Sequence, residues 1–135
     1  MVPANIAIID QARNGMGCAI VHSDDAVGIQ HLNQEAAKAM AAGNRAGYSI
    51  SKAHAMKWIT SNPAKAAGVL EHTGSIEAGK DADIVLWTHN PFSVYSRAQQ
   101  VLIDGAVAYD MNDPKKQPVT DFDLGIINPQ INRVQ

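Results

Sequence analysis

The stretch Gly17-Cys18-Ala19-Ile20-Val21-His22-Ser23-Asp24-Asp25 constrains the fold more than any other part of the chain. An apolar run without alternation stops abruptly at a histidine, a serine and two aspartates. Such a run predicts a strand over residues 17–22 that is buried on both faces, as in parallel sheets flanked by helices. In a β/α barrel, the point where a strand ends and polar residues begin is the catalytic rim. Side chains alternate along an extended chain, so His22 and Asp24 share one face while Ser23 and Asp25 share the other. Asp24 therefore stands where a carboxylate that binds metal or moves a proton would stand. His22 is placed to orient Asp24 or to touch substrate, although a histidine paired with a carboxylate serves structure just as well. The same aspartates also suit a plain cap at the turn into the next helix, and Asp25 is the better candidate for that role.

Length limits what can surround this strand. The chain has 135 residues, enough for one domain with a core but well short of the ~250 of a closed eight-stranded barrel. Nothing before residue 17 supplies further strands. The strand then pairs with its copy in another subunit, joins a separate complementing chain, or is covered locally by its own helices. The formal net charge is −2 with scattered lysines and arginines, which excludes the basic stripe of a nucleic-acid binder. No basic leader or long apolar span appears, so the expectation is a cytoplasmic protein away from membranes. The single cysteine, Cys18, cannot form an intrachain disulfide and reads as a small hydrophobe within the strand.

Local signals divide the chain near residue 70, into a helix-rich part over 1–70 and a β-rich part with a tail over 71–135. A short helix is expected over 4–12, stopped by Asn14-Gly15. A second follows over 27–43, where Ile29, Leu32, Ala36, Ala39, Met40 and Gly43 recur at helical spacing. Ser51 caps a third helix through Thr60, and Asn62 with Pro63 restarts a shorter one that ends at Gly68. Residues 83–87 suit a strand. Residues 98–103 and 106–109, joined by Asp104-Gly105, predict a hairpin with a type I′ turn. Trp58 and Trp87 are expected to anchor the two halves. Gly74 to Gly79 lacks the preceding strand, following helix and lysine spacing of a phosphate loop.

Several segments together resemble the C-terminal end of metal-dependent amidohydrolases, nearest to their imidazolonepropionase-related branch. They are His22-Ser23-Asp24-Asp25, Leu32 to Ala39, Trp58-Ile59-Thr60-Ser61-Asn62-Pro63-Ala64-Lys65-Ala66 and Gly74-Ser75-Ile76-Glu77-Ala78-Gly79-Lys80-Asp81-Ala82-Asp83-Ile84-Val85-Leu86-Trp87. Asn90 to Tyr95 and Ile103-Asp104-Gly105 continue the likeness, and Asp121 to Gly125 closes it. The Gly74–Trp87 string is the specific element.

The resemblance implies an α/β fold made of the last βα units of a TIM-like barrel, followed by part of a composite β-sandwich, and incomplete as a barrel in one chain. It implies hydrolysis of C–N bonds in linear or cyclic amides by water activated on a divalent metal, most simply zinc. Asp24 matches the aspartate that ligates the metal and carries the proton from the water to the leaving group. The family's other ligands, a His-x-His pair, a bridging residue and two later histidines, have no counterpart in this sequence.

Other candidates are weaker. His31 and Glu35 lie four apart on a helix and could reach one ion, but such pairs are usually a solvated face. His54, His72 and His89 have no sequence-local partners and are expected at the surface. Three roles remain. The chain is a hydrolase or half-enzyme acting on a small-molecule amide, which bound metal would support. It is a non-catalytic module that binds its own copy or a complementing chain through the inherited scaffold, which an exposed apolar face without metal would favour. Or it is a truncated product without an independent role, which instability would indicate.

Overall fold

The computed structural model describes residues 4–118. Four helices come first: α1 (Asn5–Gly15), α2 (Leu32–Arg45), α3 (Lys52–Met56) and α4 (Ser61–Ala66). Single turns of 3₁₀ helix cover Gly28–His31 and Lys57–Ile59. Three strands follow, β1 (Ile84–Trp87), β2 (Ala98–Ile103) and β3 (Ala106–Asp110), in an antiparallel sheet of order β1-β2-β3. A last 3₁₀ turn spans Pro114–Lys116. No helix among the described residues is long and apolar enough to cross a membrane.

The helix ends follow their local chemistry. Asn14 and Gly15 both take positive φ and end α1, a conformation that asparagine and glycine tolerate best. The Ser51 hydroxyl accepts the His54 amide at 3.1 Å, capping α3. Past α4, Gly68 sits at φ +75°. There the Val69 amide donates to the Ala64 carbonyl and the Gly68 amide to Lys65, the double bond of a glycine-terminated helix. One cap differs from expectation. α4 begins at Ser61 after Thr60, and the Asn62 side chain instead donates to the Ala19 carbonyl at 2.7 Å. Pro63 falls at the third helical position, where its missing N–H still costs no helical hydrogen bond. The second helix also starts later than its periodicity suggests, because Asp25 and the 3₁₀ turn occupy residues 25–31.

The core is small and lies among the helices. Ala7, Ala19, Ile50, Ala55 and Trp58 form it, with Ile6, Val21, Ala39, Met40, Tyr48 and Phe92 packed around them. α1 and α2 approach so closely that a Cβ on Gly43 would lie 2.6 Å from the Ala7 Cβ and 2.8 Å from Ile50 Cδ1. Asn44 closes the end of α2 by bonding both the amide and the carbonyl of Ile50. The helices and the region before the hairpin meet where Asn33, itself buried, donates to the Pro91 carbonyl.

The expected strand over residues 17–22 is not paired. These residues are extended but join no sheet among the described residues. Within the run only Ala19 is buried, and Cys18 is exposed, so the cysteine is not the enclosed hydrophobe its neighbours suggested. The reason is physical: an apolar run becomes a buried strand only when ladder partners and covering layers exist on both sides. Here one edge meets the Trp58 carbonyl and Asn62. The other edge borders an open cleft of about 720 Å³ between α1, α2 and residues 20–23.

The β-rich part follows its local signals. Asp104 and Gly105 take φ +49° and +77°, as a type I′ turn requires. The Gly74–Asp83 string forms a clasp on this hairpin. The Lys80 ammonium donates to the Leu70 carbonyl and the Ser75 hydroxyl, both at 2.6 Å. Asp83 accepts the Asp104 amide on one oxygen and the Thr73 hydroxyl on the other. The motif's polar residues are thus consumed in tying a loop to a turn.

Candidate functional site

His22 and Asp24 are brought together at the end of the extended segment. His22 Nδ1 lies 3.3 Å from Asp24 Oδ1, with both side chains largely exposed at 71% and 93%. Ser23 and Asp25, on the alternate positions, turn to local work. The Ser23 hydroxyl accepts the Asp25 amide, and the Asp25 carboxylate accepts the amides of Val27 and Gly28 at 2.9 and 2.8 Å. Those amides, Val27 first and Gly28 second, hold the Asp25 carboxyl below its ordinary value. Asp25 is thus occupied by the two amides leading into the 3₁₀ turn, while Asp24 faces His22. His22, Ser23 and Asp25 line the cleft, beneath Glu35, Lys38 and Arg45 on α2. Glu35 pairs with Lys38 at 2.6 Å rather than with His31.

An imidazole nitrogen and a carboxylate oxygen are donors that zinc accepts. They are two donors, whereas a zinc site takes three or four protein ligands. Among the described residues no group of three or more histidine, cysteine, aspartate or glutamate side chains is arranged to hold an ion. His22 and Asp24 alone fall short of that number.

A second cluster was not anticipated. Asp10, on the inner face of α1, is 2% exposed and collects three side-chain donors. Trp58 Nε1 donates to Oδ1 at 2.8 Å, Gln11 Nε2 donates to Oδ2 at 2.8 Å, and His54 Nε2 lies 2.9 and 2.8 Å from the two oxygens. His54 stands edge-on to the Trp58 ring. His54 keeps 37% of its side chain exposed, but its ring is spent on a buried carboxylate 44 residues away, a partner the sequence did not announce. The available signal was Asp10 three residues after Ala7 on the apolar face of α1, with His54 and Trp58 four apart on the facing segment.

Comparison with known proteins places the chain. Residues 6–115 match the amidohydrolase family, and the chain belongs to that family. It is 33% identical over 96 residues to amidohydrolase tasK of Hapsidospora irregularis, a match covering 71% of this chain and 9% of that protein. The crystal structure of an amidohydrolase from Thermotoga maritima MSB8 superposes with a TM-score of 0.63 at 32% identity, over 77% of this chain and 26% of that one. The chain therefore spans a minor part of the relatives it matches. The mixed α/β arrangement with its small antiparallel sheet corresponds to part of an amidohydrolase structure.

Proposed function

We propose that this chain is the C-terminal part of a metal-dependent hydrolase of the imidazolonepropionase-related branch, acting on C–N bonds of linear or cyclic amides. In this reading residues 17–22 form the last strand of a barrel whose other strands lie outside these 135 residues, on the same polypeptide or a complementing one. The observation that carries it is the family match over residues 6–115, which includes the exposed His22–Asp24 pair at the end of the extended segment.

A divalent ion, most simply zinc, supplies activation of water when bound, and its remaining ligands come from the rest of the barrel. The contribution of this chain is the Asp24 carboxylate. It would serve as one oxygen ligand, and would accept a proton from the attacking water and return it to the departing nitrogen. His22, beside Asp24 Oδ1, orients that carboxylate.

The test uses a chimaera in which residues 6–115 replace the matching quarter of the Thermotoga maritima amidohydrolase. With a panel of amide and cyclic amide substrates, Asp24→Asn is expected to lower kcat/KM by roughly 10²–10⁴-fold, the usual worth of a positioned proton-transfer group. Hydrolysis that is unchanged in Asp24→Asn would overturn the assignment.

A further inference from the structure

We propose that Asp10 is a positioning residue for the segment that presents His22 and Asp24, acting through Trp58. The inference rests on the reading of Asp24 as the working carboxylate, but its geometry is independent of any metal. Val21 donates its amide to the Trp58 carbonyl at 3.0 Å. Among the described residues this is the only backbone–backbone hydrogen bond made by residues 17–22. Val21 is one residue from His22 and three from Asp24, so the place of the Trp58 carbonyl sets where the pair is delivered.

Trp58 is itself fixed by Asp10. The ring is fully buried, and its one polar atom ends on Asp10 Oδ1. His54 holds the same carboxylate from four residues earlier in the chain, so two side chains of one helical stretch converge on it. α1 also touches the segment directly, because any side chain at Gly17 would collide with the Ile9 carbonyl oxygen and crowd that of Asp10. Asn62 holds the Ala19 carbonyl between these two points. The segment is thus anchored at Gly17, Ala19 and Val21, and Asp10 stands behind the first and the last.

The carboxylate satisfies the buried Trp58 indole N–H, which an apolar side chain would leave without a partner. What the carboxylate adds is direction: two oxygens that receive an indole N–H and an imidazole N–H fix the ring rotamer of Trp58, and with it the turn that carries the Trp58 carbonyl.

The experiment follows amide hydrogen exchange and the His22 ring resonances in the full chain. Trp58→Phe keeps an aromatic side chain, with a smaller ring, and removes the donor. Roughly tenfold faster exchange at the Val21 amide is expected, with β2 and β3 amides changed by less than about twofold and the His22 signals displaced. Asp10→Asn, which keeps an oxygen for the indole, is expected to retain most of the Val21 protection that Asp10→Ala loses. Equal acceleration at all amides would reduce Asp10 and Trp58 to general structural residues and overturn the proposal. So would unaltered exchange at Val21. These readouts separate it from the hydrolase assignment, since unchanged hydrolysis in Asp24→Asn removes that assignment while leaving the Val21 result intact.

Discussion

Residues 5–66 enclose Trp58 and Asp10 almost completely, whereas within residues 84–110 only Ser96 is buried. The helical part is held by contacts that reach far along the chain: α1 to α2 through Ala7 and Gly43, and α1 to the α3 region through Asp10. The sheet part is held by turns and by polar clasps to near neighbours, such as Lys80 to Leu70 and Thr73 to Asp83. Its apolar residues are left partly bare, with Val85, Leu86 and Ile103 at 42%, 46% and 59% exposure. The helical part also leaves an extended run with one free edge beside a cleft. Both deficits fit a chain that matches 26% of a solved relative's length. Local chemistry completes the turns, while the apolar layers are left partly uncovered among the described residues.

Trp58→Ala gives the sharpest test of this difference. Emptying the site of the largest buried side chain is expected to cost roughly 3–5 kcal/mol, read by urea unfolding. The loss should fall on the helical amides, with the hairpin retaining its exchange protection. Equal loss in both parts would break the distinction between them. A smaller effect is expected from Gly105→Ala. At φ +77° a Cβ is strained, and a cost of about 1 kcal/mol should appear at the hairpin alone.

Acid gives the mildest contrast. Backbone N–H of Asp104 and then the Thr73 hydroxyl hold Asp83 below its ordinary 3.8. The Gln100 side chain and then the Asn112 amide lower Asp110 from the same value. The Ser75 hydroxyl and then Lys80 lower Glu77 from 4.5. A carboxyl whose folded value is depressed stabilises the fold above its unfolded value and loses that contribution as pH falls through the folded one. The turns around the sheet should therefore loosen below pH 4.5 for Glu77 and below 3.8 for the aspartates. In the helical part Asp25 is held low in the same way by the Val27 and Gly28 amides. NMR titration of turn amides checks this, and loosening of the helical amides first would contradict it.

What could be read in advance divides along the same line. Asn14-Gly15, Ser51, Gly68 and Asp104-Gly105 act within a few residues, and each behaves as its type dictates. The capping role of Asp25 is of the same kind. A strand over 17–22 depends on ladder partners, and the described residues contain none for it. The bond from His54 to Asp10 is not legible in the sequence because the partner lies 44 residues away. Cys18 followed the error made for its strand. Asp121 to Gly125, read as the close of the family likeness, lies outside the described residues.

The central claim is that Asp24 is a metal ligand awaiting the rest of its site. Elemental analysis of the chimaera with the Thermotoga maritima amidohydrolase, purified without chelators or a histidine tag, tests it most directly. Near-stoichiometric zinc or a similar divalent ion is expected in the parent chimaera, with marked loss of that metal in Asp24→Asn. Equal metal content in both would contradict it and leave Asp24 as an exposed residue beside the Asp25 cap.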